Sequence, residues 1–307
     1  MSIELIVNPK VGGISWQAFC AEAPAYSASL DGYVNEGPCF DDKKVMVNFN
    51  HHEGCDRLAT RATCAQALMA IRQGMFHKFR DSFGPRVNVF VNDCDEDVCT
   101  SWFLLHNHHM VTGAMNPMIN KLVAMEDALD STAGAYPFPG DLPALKELAW
   151  VFEPYRHFRL NGSLEKRDAA AFKSIILDVE HRIMQHATGH GSSINLDTRY
   201  DIIGGGSGWV MVKEVGAHAR TGMFGDGIKA YVSVRERKDN RWTYTLGKLS
   251  PFIPFNLIKL TEVFNQEDMT VTESDRWGGG NNIMGSPRVG GSSLDPDMLS
   301  QLIKESL

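Results

Sequence analysis

The sequence predicts an α/β protein: a larger doubly wound parallel-sheet domain over residues 1–187 and a smaller, β-rich α+β domain over residues 188–307. Three observations predict it. Two short runs of apolar, β-prone residues, VMVNF at 45–49 and VNVFV at 87–91, each stop abruptly in amides, imidazoles and carboxylates, as buried strands do where they enter a loop. Helical segments alternate with these strands, the pattern of a doubly wound layer. From about residue 208 the spacing of apolar residues changes to a two-residue period, which signals a second, β-rich unit. At 307 residues and 43% hydrophobic content, the chain is long enough for two cores.

The elements follow in order. Ile3–Val7 is a short strand, and residues 14–44 scatter Gly, Pro, Ser and Asp without a clear period. The strand 45–49 follows. Residues 59–74 are Ala-rich, carry apolar residues at helical spacing and stop at Gly74, a helix with its terminator. The strand 87–91 leads into a helix over 95–109 with acids in its first turn, where they complement the helix dipole. A helix over 117–134 ends near Ser131–Gly134, and the Pro- and Gly-rich stretch 136–143 is a loop. Helices are expected at about 142–152 and 165–187. The latter is long and amphipathic, suited to connecting two domains, and part of the Gly- and Ser-rich stretch 188–208 reads as a linker. Strands at 209–215, 228–237 and 242–248 come next, the last two forming a hairpin around a turn at 238–241. Helices at 257–265 and 296–306 bracket the glycine-rich segment 277–291.

Composition excludes several classes of function. A net charge of −7 and a pI near 5.9 argue against a uniformly basic nucleic-acid surface. They favour a small substrate over long duplex nucleic acid. No apolar run approaches the ~18 residues of a membrane span. The N-terminus lacks a basic leader and a sufficient apolar stretch, so no signal peptide is expected. Six cysteines at 20, 39, 55, 64, 94 and 99 show no Cys-x-x-Cys spacing. They read as reduced thiols of a cytoplasmic protein.

The chemistry concentrates at the two strand ends. In an open parallel sheet, ligands collect at the carboxyl edge. One expected strand delivers Asn50, His51, His52 and Glu53 there; the other delivers Asp93, Asp95, Glu96 and Asp97. Carboxylates and imidazoles meeting at such an edge suit a hard or borderline divalent cation such as Mn²⁺, Mg²⁺ or Zn²⁺. The plain alternative is two polar loops that never meet. Carboxylates at alternate positions repel one another without a cation, although acids there also cap the following helix. An EF-hand is excluded, because the run lacks the Gly at the sixth position and the Glu at the twelfth. Asp127 and Asp130, three apart, share a helix face, and Asp130 is a candidate further ligand. His106 lies ~15 Å along the helix from the acids, and His106, His108 and His109 suit the surface or a contact between copies in a homo-oligomer. In the tail, Gly278, Gly279 and Gly280 would let backbone N–H groups approach an anion, and Arg288 would pair with a phosphate or carboxylate.

These motifs together resemble the DHH phosphoesterase superfamily. Asn50-His51-His52 is similar to the family's Asp-His-His triplet, VFVNDCDEDVCTSWFLL to its strand-plus-acid motif, and WGGGNNIMGSPR to the Gly-Gly motif of its DHH-associated C-terminal domain. The resemblance touches most of the chain through these three short motifs. It implies a two-domain phosphohydrolase with one or two Mn²⁺ or Mg²⁺ ions in the larger domain and a substrate grip in the smaller one. Carried over by position, it implies metal ligands at His51, His52, Asp93, Asp95 and Asp130, with His52 and Asp95 also taking part in catalysis. Gly278, Gly279, Gly280 and Arg288 would bind substrate. Two departures stand out. Asn50 replaces an aspartate, so a metal ligand is missing. The acid run also follows the His-His pair rather than preceding it, leaving Asp31 and the Asp41–Asp42 pair as the acids available upstream. A non-catalytic binding or assembly protein that kept the fold is the competing reading.

Overall fold

A computed structural model describes residues 2–52, 54–237, 239–273 and 275–307. Two compact units make up the chain. The first comprises Met1–Ser131 and Pro143–Ile194; the second comprises Thr132–Leu142 and Asn195–Leu307. The single boundary expected at 187/188 thus falls seven residues early, and it misses the excursion at 132–142. That excursion is explained by Ala135, which is buried against Val212, Met223, Phe224 and Tyr231 of the second unit.

The first unit is a mixed α/β layer. In chain order its elements are β1 (Ser2–Val7), α1 (Trp16–Glu22), β2 (Ser27–Leu30), β3 (Cys39–Asp41), β4 (Met46–Phe49), α2 (Thr63–Arg72), α3 (Met75–Lys78), β5 (Arg80–Asp81), β6 (Gly84–Val91) and α4 (Glu96–His106). There follow α5 (His109–Thr112), α6 (Pro117–Ser131), α7 (Pro143–Val151), α8 (Glu153–Leu160) and α9 (Ala169–Ala187). The sheet runs β1-β6-β2-β4-β3, with β5 paired to β6. The pairs β1/β6, β6/β2 and β2/β4 are parallel, while β3 joins β4 antiparallel. Every residue of β2 and β4 is buried. The parallel register brings the carboxyl ends of β2, β4 and β6 to one edge, and the polar clusters follow those ends.

The central strand β2 has the sequence Ser-Ala-Ser-Leu. With neither β-branched nor aromatic residues, it carries none of the usual strand signal. Helix α9 presents Phe172, Ile176, Val179 and Ile183 as a buried stripe at helical spacing. It packs on α4, α6, α7, α8 and β1 within the first unit, so it is a core helix rather than a connector. The expected helix 95–109 ends at His106, and α5 begins anew at His109.

The second unit holds β7 (Tyr200–Gly206), β8 (Trp209–Glu214), α10 (Ala219–Gly225), β9 (Ala230–Glu236), β10 (Trp242–Lys248), α11 (Leu257–Glu267), β11 (Gly278–Gly279), β12 (Ile283–Gly285) and α12 (Pro296–Ser306). Its sheet order is β11-β12-β10-β9-β8-β7. Trp209, Tyr244, Phe264, Trp277, Leu299 and Ile303 form the heart of its core. The β9–β10 hairpin pairs Glu236 with Trp242; Lys238 of the expected turn lies outside the described residues. Part of the stretch read as linker is the edge strand β7. Its Gly204–Gly206 offers no side-chain alternation to betray a strand, and a Cβ at Gly205 would stand 2.7 Å from the Trp209 carbonyl oxygen.

Candidate metal centre

The site is built at the carboxyl edge of the first sheet. Leu30 ends β2, and Asp31 follows with φ +47°, its N–H still donating to the Phe49 carbonyl of the β4 side. One residue beyond β4, Asn50 donates from Nδ2 to the carbonyls of Val34 (3.1 Å) and Glu36 (2.9 Å), and its Oδ1 accepts from the His52 N–H at 3.0 Å. Fully buried, Asn50 is a clamp that shapes the loop carrying both histidines. A carboxylate could not make its two donations, so the amide has a structural reason to replace the acid of the resembling motif. Glu53, next in that cluster, lies outside the described residues.

Two further acids come from helices. The N-terminus of α2 has no cap from its own side chains. Instead Asp97, in the first turn of α4, accepts from the N–H groups of Thr63 (2.7 Å) and Cys64 (2.6 Å), and Asp127 of α6 accepts from that of Ala62 (2.7 Å). Carboxylates at a helix N-terminus satisfy its orphan donors and favour its dipole. The same contacts fix Asp97 beside His51, and Asp130, one turn along α6 from Asp127, reaches that ring as well.

Together these elements surround His51. Its Nε2 lies 2.6 Å from Asp130 Oδ2, 3.4 Å from Asp31 Oδ1 and 3.7 Å from Asp97 Oδ2, and His52 Nε2 lies 2.9 Å from Asp31 Oδ1. The 2.6 Å approach is not aligned as a hydrogen bond: neither ring nitrogen of His51, nor Asp130 Oδ2, has a hydrogen-bond partner among the described residues. One ligand atom from each of Asp31, His51, Asp97 and Asp130 falls within 4.8 Å of all the others, as does one from each of Asp31, His51 and His52. Two overlapping donor sets thus share Asp31 and His51. Three carboxylate oxygens with one imidazole nitrogen form a hard-to-borderline set that suits a divalent cation. Buried polar atoms left without hydrogen bonds are what a resident cation would satisfy.

The electrostatics agree with that fit. Burial alone would lower the His51 pKa, but the adjoining Asp130 and Asp31 carboxylates raise it to about 10. Burial opposes ionisation of Asp31, yet His52 and His51 hold its carboxyl well below the usual range. The Asp97 carboxyl is pushed well above that range, first by burial and then by Asp31 and Asp130. Glu126, 2% exposed, is pushed up by burial and by Glu96, Asp130 and Asp97. Carboxylates crowded in this way repel unless protons or a cation neutralise them.

His51, His52 and Asp130 are therefore brought together, with Asp31 and Asp97 completing the sets. Asp93 and Asp95 are not in either set. Asp95 caps α4 by accepting from the Val98 N–H, and Asp93 accepts from the Cys94 N–H. The turn that follows presents Asp97 instead. The acid ladder signalled the region, but a two-residue spacing in a strand-to-helix junction does not say which rung points inward. Asp31 gave a weaker signal, because it ends a strand of small residues. His106 pairs with Glu180 at 2.6 Å. His108 is buried against Phe76.

In the second unit, Gly279 has φ +147°, and a Cβ there would lie 2.4 Å from the Ile283 carbonyl oxygen. This glycine is required by the β11–β12 hairpin itself. Gly278 and Gly280 have nothing within 4 Å of such a Cβ. Arg288 is exposed, while its neighbours Val289 and Gly290 are anchored through their N–H groups to Asp275.

No protein-family model and no curated protein matches this chain. Among the described residues, no helix is long and apolar enough to cross a membrane.

Proposed function

We propose that the chain is a divergent DHH-type phosphoesterase, a Mn²⁺- or Mg²⁺-dependent phosphohydrolase acting on a nucleotide, a short oligonucleotide or another small phosphoester. The observation that carries this reading is the pair of donor sets sharing Asp31 and His51. Asp31, His51, Asp97 and Asp130 would hold one cation; because the His51 ring has one lone pair to give, a second cation at His52 would share only Asp31 with the first. A cation held by these residues would supply Lewis acidity toward a phosphoryl oxygen and toward an attacking water. The chain's own contribution is positional. Asp97 is locked by two α2 N–H groups, Asn50 sets the His51–His52 loop, and His52 is the exposed histidine of the pair. What supports a competent rather than a degenerate site is the placement of Asn50: its amide clamps backbone carbonyls instead of leaving a gap among the ligands.

The test is metal content after dialysis, followed by hydrolysis of bis-p-nitrophenyl phosphate with and without Mn²⁺. The wild type should retain Mn²⁺ and hydrolyse the ester in a Mn²⁺-dependent manner. A His51→Ala, Asp97→Ala double variant should do neither. Retention of Mn²⁺ by that double variant would place the ion elsewhere. Metal binding without hydrolysis of any phosphoester would favour the binding-protein reading.

A further inference from the structure

Arg57 stands beside the candidate metal centre in a position the ligand sets do not explain. Its Nη2 lies 2.7 Å from His52 Nδ1, and its Nη1 donates to the Asp130 main-chain carbonyl at 3.2 Å. Among the described residues no carboxylate pairs with it; both contacts run to residues of the candidate centre. A guanidinium has donors only. His52 Nδ1 must therefore accept, so the ring proton sits on Nε2, the nitrogen 2.9 Å from Asp31 Oδ1.

This arrangement conflicts with metal ligation by the same ring. An imidazole that gives the Nε2 lone pair to a cation carries its proton on Nδ1. Nδ1 is then a donor facing the donor of Arg57, and the contact is lost. The proton count of the ring is unchanged: the proton given up by Nε2 is matched by the one held at Nδ1. The contact to the Asp130 carbonyl does not depend on the tautomer, so the guanidinium stays tethered at the rim with one edge freed.

Resting on the metal-centre reading above, we propose that Arg57 is a substrate-positioning residue which exchanges His52 Nδ1 for a phosphoryl group when a cation occupies the centre. A guanidinium matches a phosphate in shape and charge, binding it through two parallel N–H groups. Cation and phosphoryl group would then favour each other's binding, because the first releases the group that receives the second.

The experiment compares wild type, Arg57→Ala and Arg57→Lys by calorimetry, titrating Mn²⁺ alone and then inorganic phosphate into Mn²⁺-loaded protein. Arg57→Ala should bind Mn²⁺ at least as tightly as wild type, since nothing then competes for His52 Nδ1. Its phosphate affinity should fall by about ten- to a hundredfold, the worth of one charge-assisted contact, and Arg57→Lys should recover part of it. Long-range ¹H–¹⁵N spectra give an activity-independent readout. On adding diamagnetic Mg²⁺, the His52 proton should move from Nε2 to Nδ1 in the wild type. Unchanged phosphate affinity in Arg57→Ala, or loss of Mn²⁺ binding with phosphate binding retained, would overturn the role of Arg57 alone. Failure of the wild type to bind Mn²⁺ would overturn the metal centre and this proposal with it.

Discussion

Changing Asn50 to aspartate restores the acid of the resembling motif, and the structure gives that substitution an unfavourable outcome. The Asn50 side chain is fully buried and makes three hydrogen bonds, two of them as donor to the carbonyls of Val34 and Glu36. A carboxylate keeps only the third, from the His52 N–H. The Glu36 carbonyl retains a second donor, Asn48 Nδ2 at 2.7 Å, whereas none of the described hydrogen bonds gives Val34 O a replacement. One buried acceptor left bare and one weakened, each facing a new negative charge, cost about 2–4 kcal/mol, a large part of the ~5–15 kcal/mol that holds a typical domain together. A protonated carboxyl can donate once, so the folded state would hold the proton more tightly than the unfolded chain. The deficit should therefore be smallest below about pH 4 and grow as the pH rises. Urea unfolding of wild type and Asn50→Asp at pH 4 and pH 7.5, followed by far-UV circular dichroism, reads both effects, with a midpoint about 1–2 M lower at pH 7.5. Equal stability at pH 7.5, or a gain in Mn²⁺ affinity, would mean that Asn50 faces the ion and that the clamp is misassigned.

Three further outcomes are expected. Asp130→Asn should lower Mn²⁺ affinity tenfold or more by calorimetry, because it removes an anionic oxygen from the four-residue set. Asp268 in the second unit is held at a pKa of about 2; burial opposes this, but hydrogen bonds from Ser292, Thr270 and Ser293 outweigh it. Its depressed pKa contributes about 2–3 kcal/mol that is present above pH 4 and lost as the pH falls through about 2; Asp268→Asn should flatten that acid limb in pH-dependent unfolding. Gly279→Ala should destabilise the second unit by ~1 kcal/mol or more through its positive φ and backbone clash, while Gly278→Ala and Gly280→Ala should leave the melting temperature within about 1 °C. Equal effects at all three glycines would contradict the hairpin geometry.

The strand ends were legible because burial and function write contrasting residues side by side: VMVNF against Asn50-His51-His52, and VFV against the acid ladder. What lay beyond the sequence was orientation. Asp95 and Asp97 are both acids in one ladder, yet the first caps its own helix and the second caps another, and only the packing of α2 against α4 decides which does what. The strand β2 escaped because its Ser-Ala-Ser-Leu sequence fills a narrow central slot where small residues suffice, so the usual β-branched signature was never required. Asp31, at its end, went unassigned for the same reason. Asn50 illustrates the opposite difficulty: read as a missing carboxylate, it is a donor whose partners come from backbone 14 to 16 residues earlier.

The short excursion at 132–142 has a practical consequence for dissecting the molecule. The polypeptide leaves the first unit after Ser131, returns at Pro143 and leaves again after Ile194, so neither unit is a contiguous stretch that a single cut would liberate. A fragment starting at Asn195 would lack Ala135, baring the apolar surfaces of Phe224 and Tyr231 that it covers. Such a fragment should be sticky and poorly soluble, and supplying residues 132–142 as a separate peptide should rescue it, much as a missing staple can be pressed back into place.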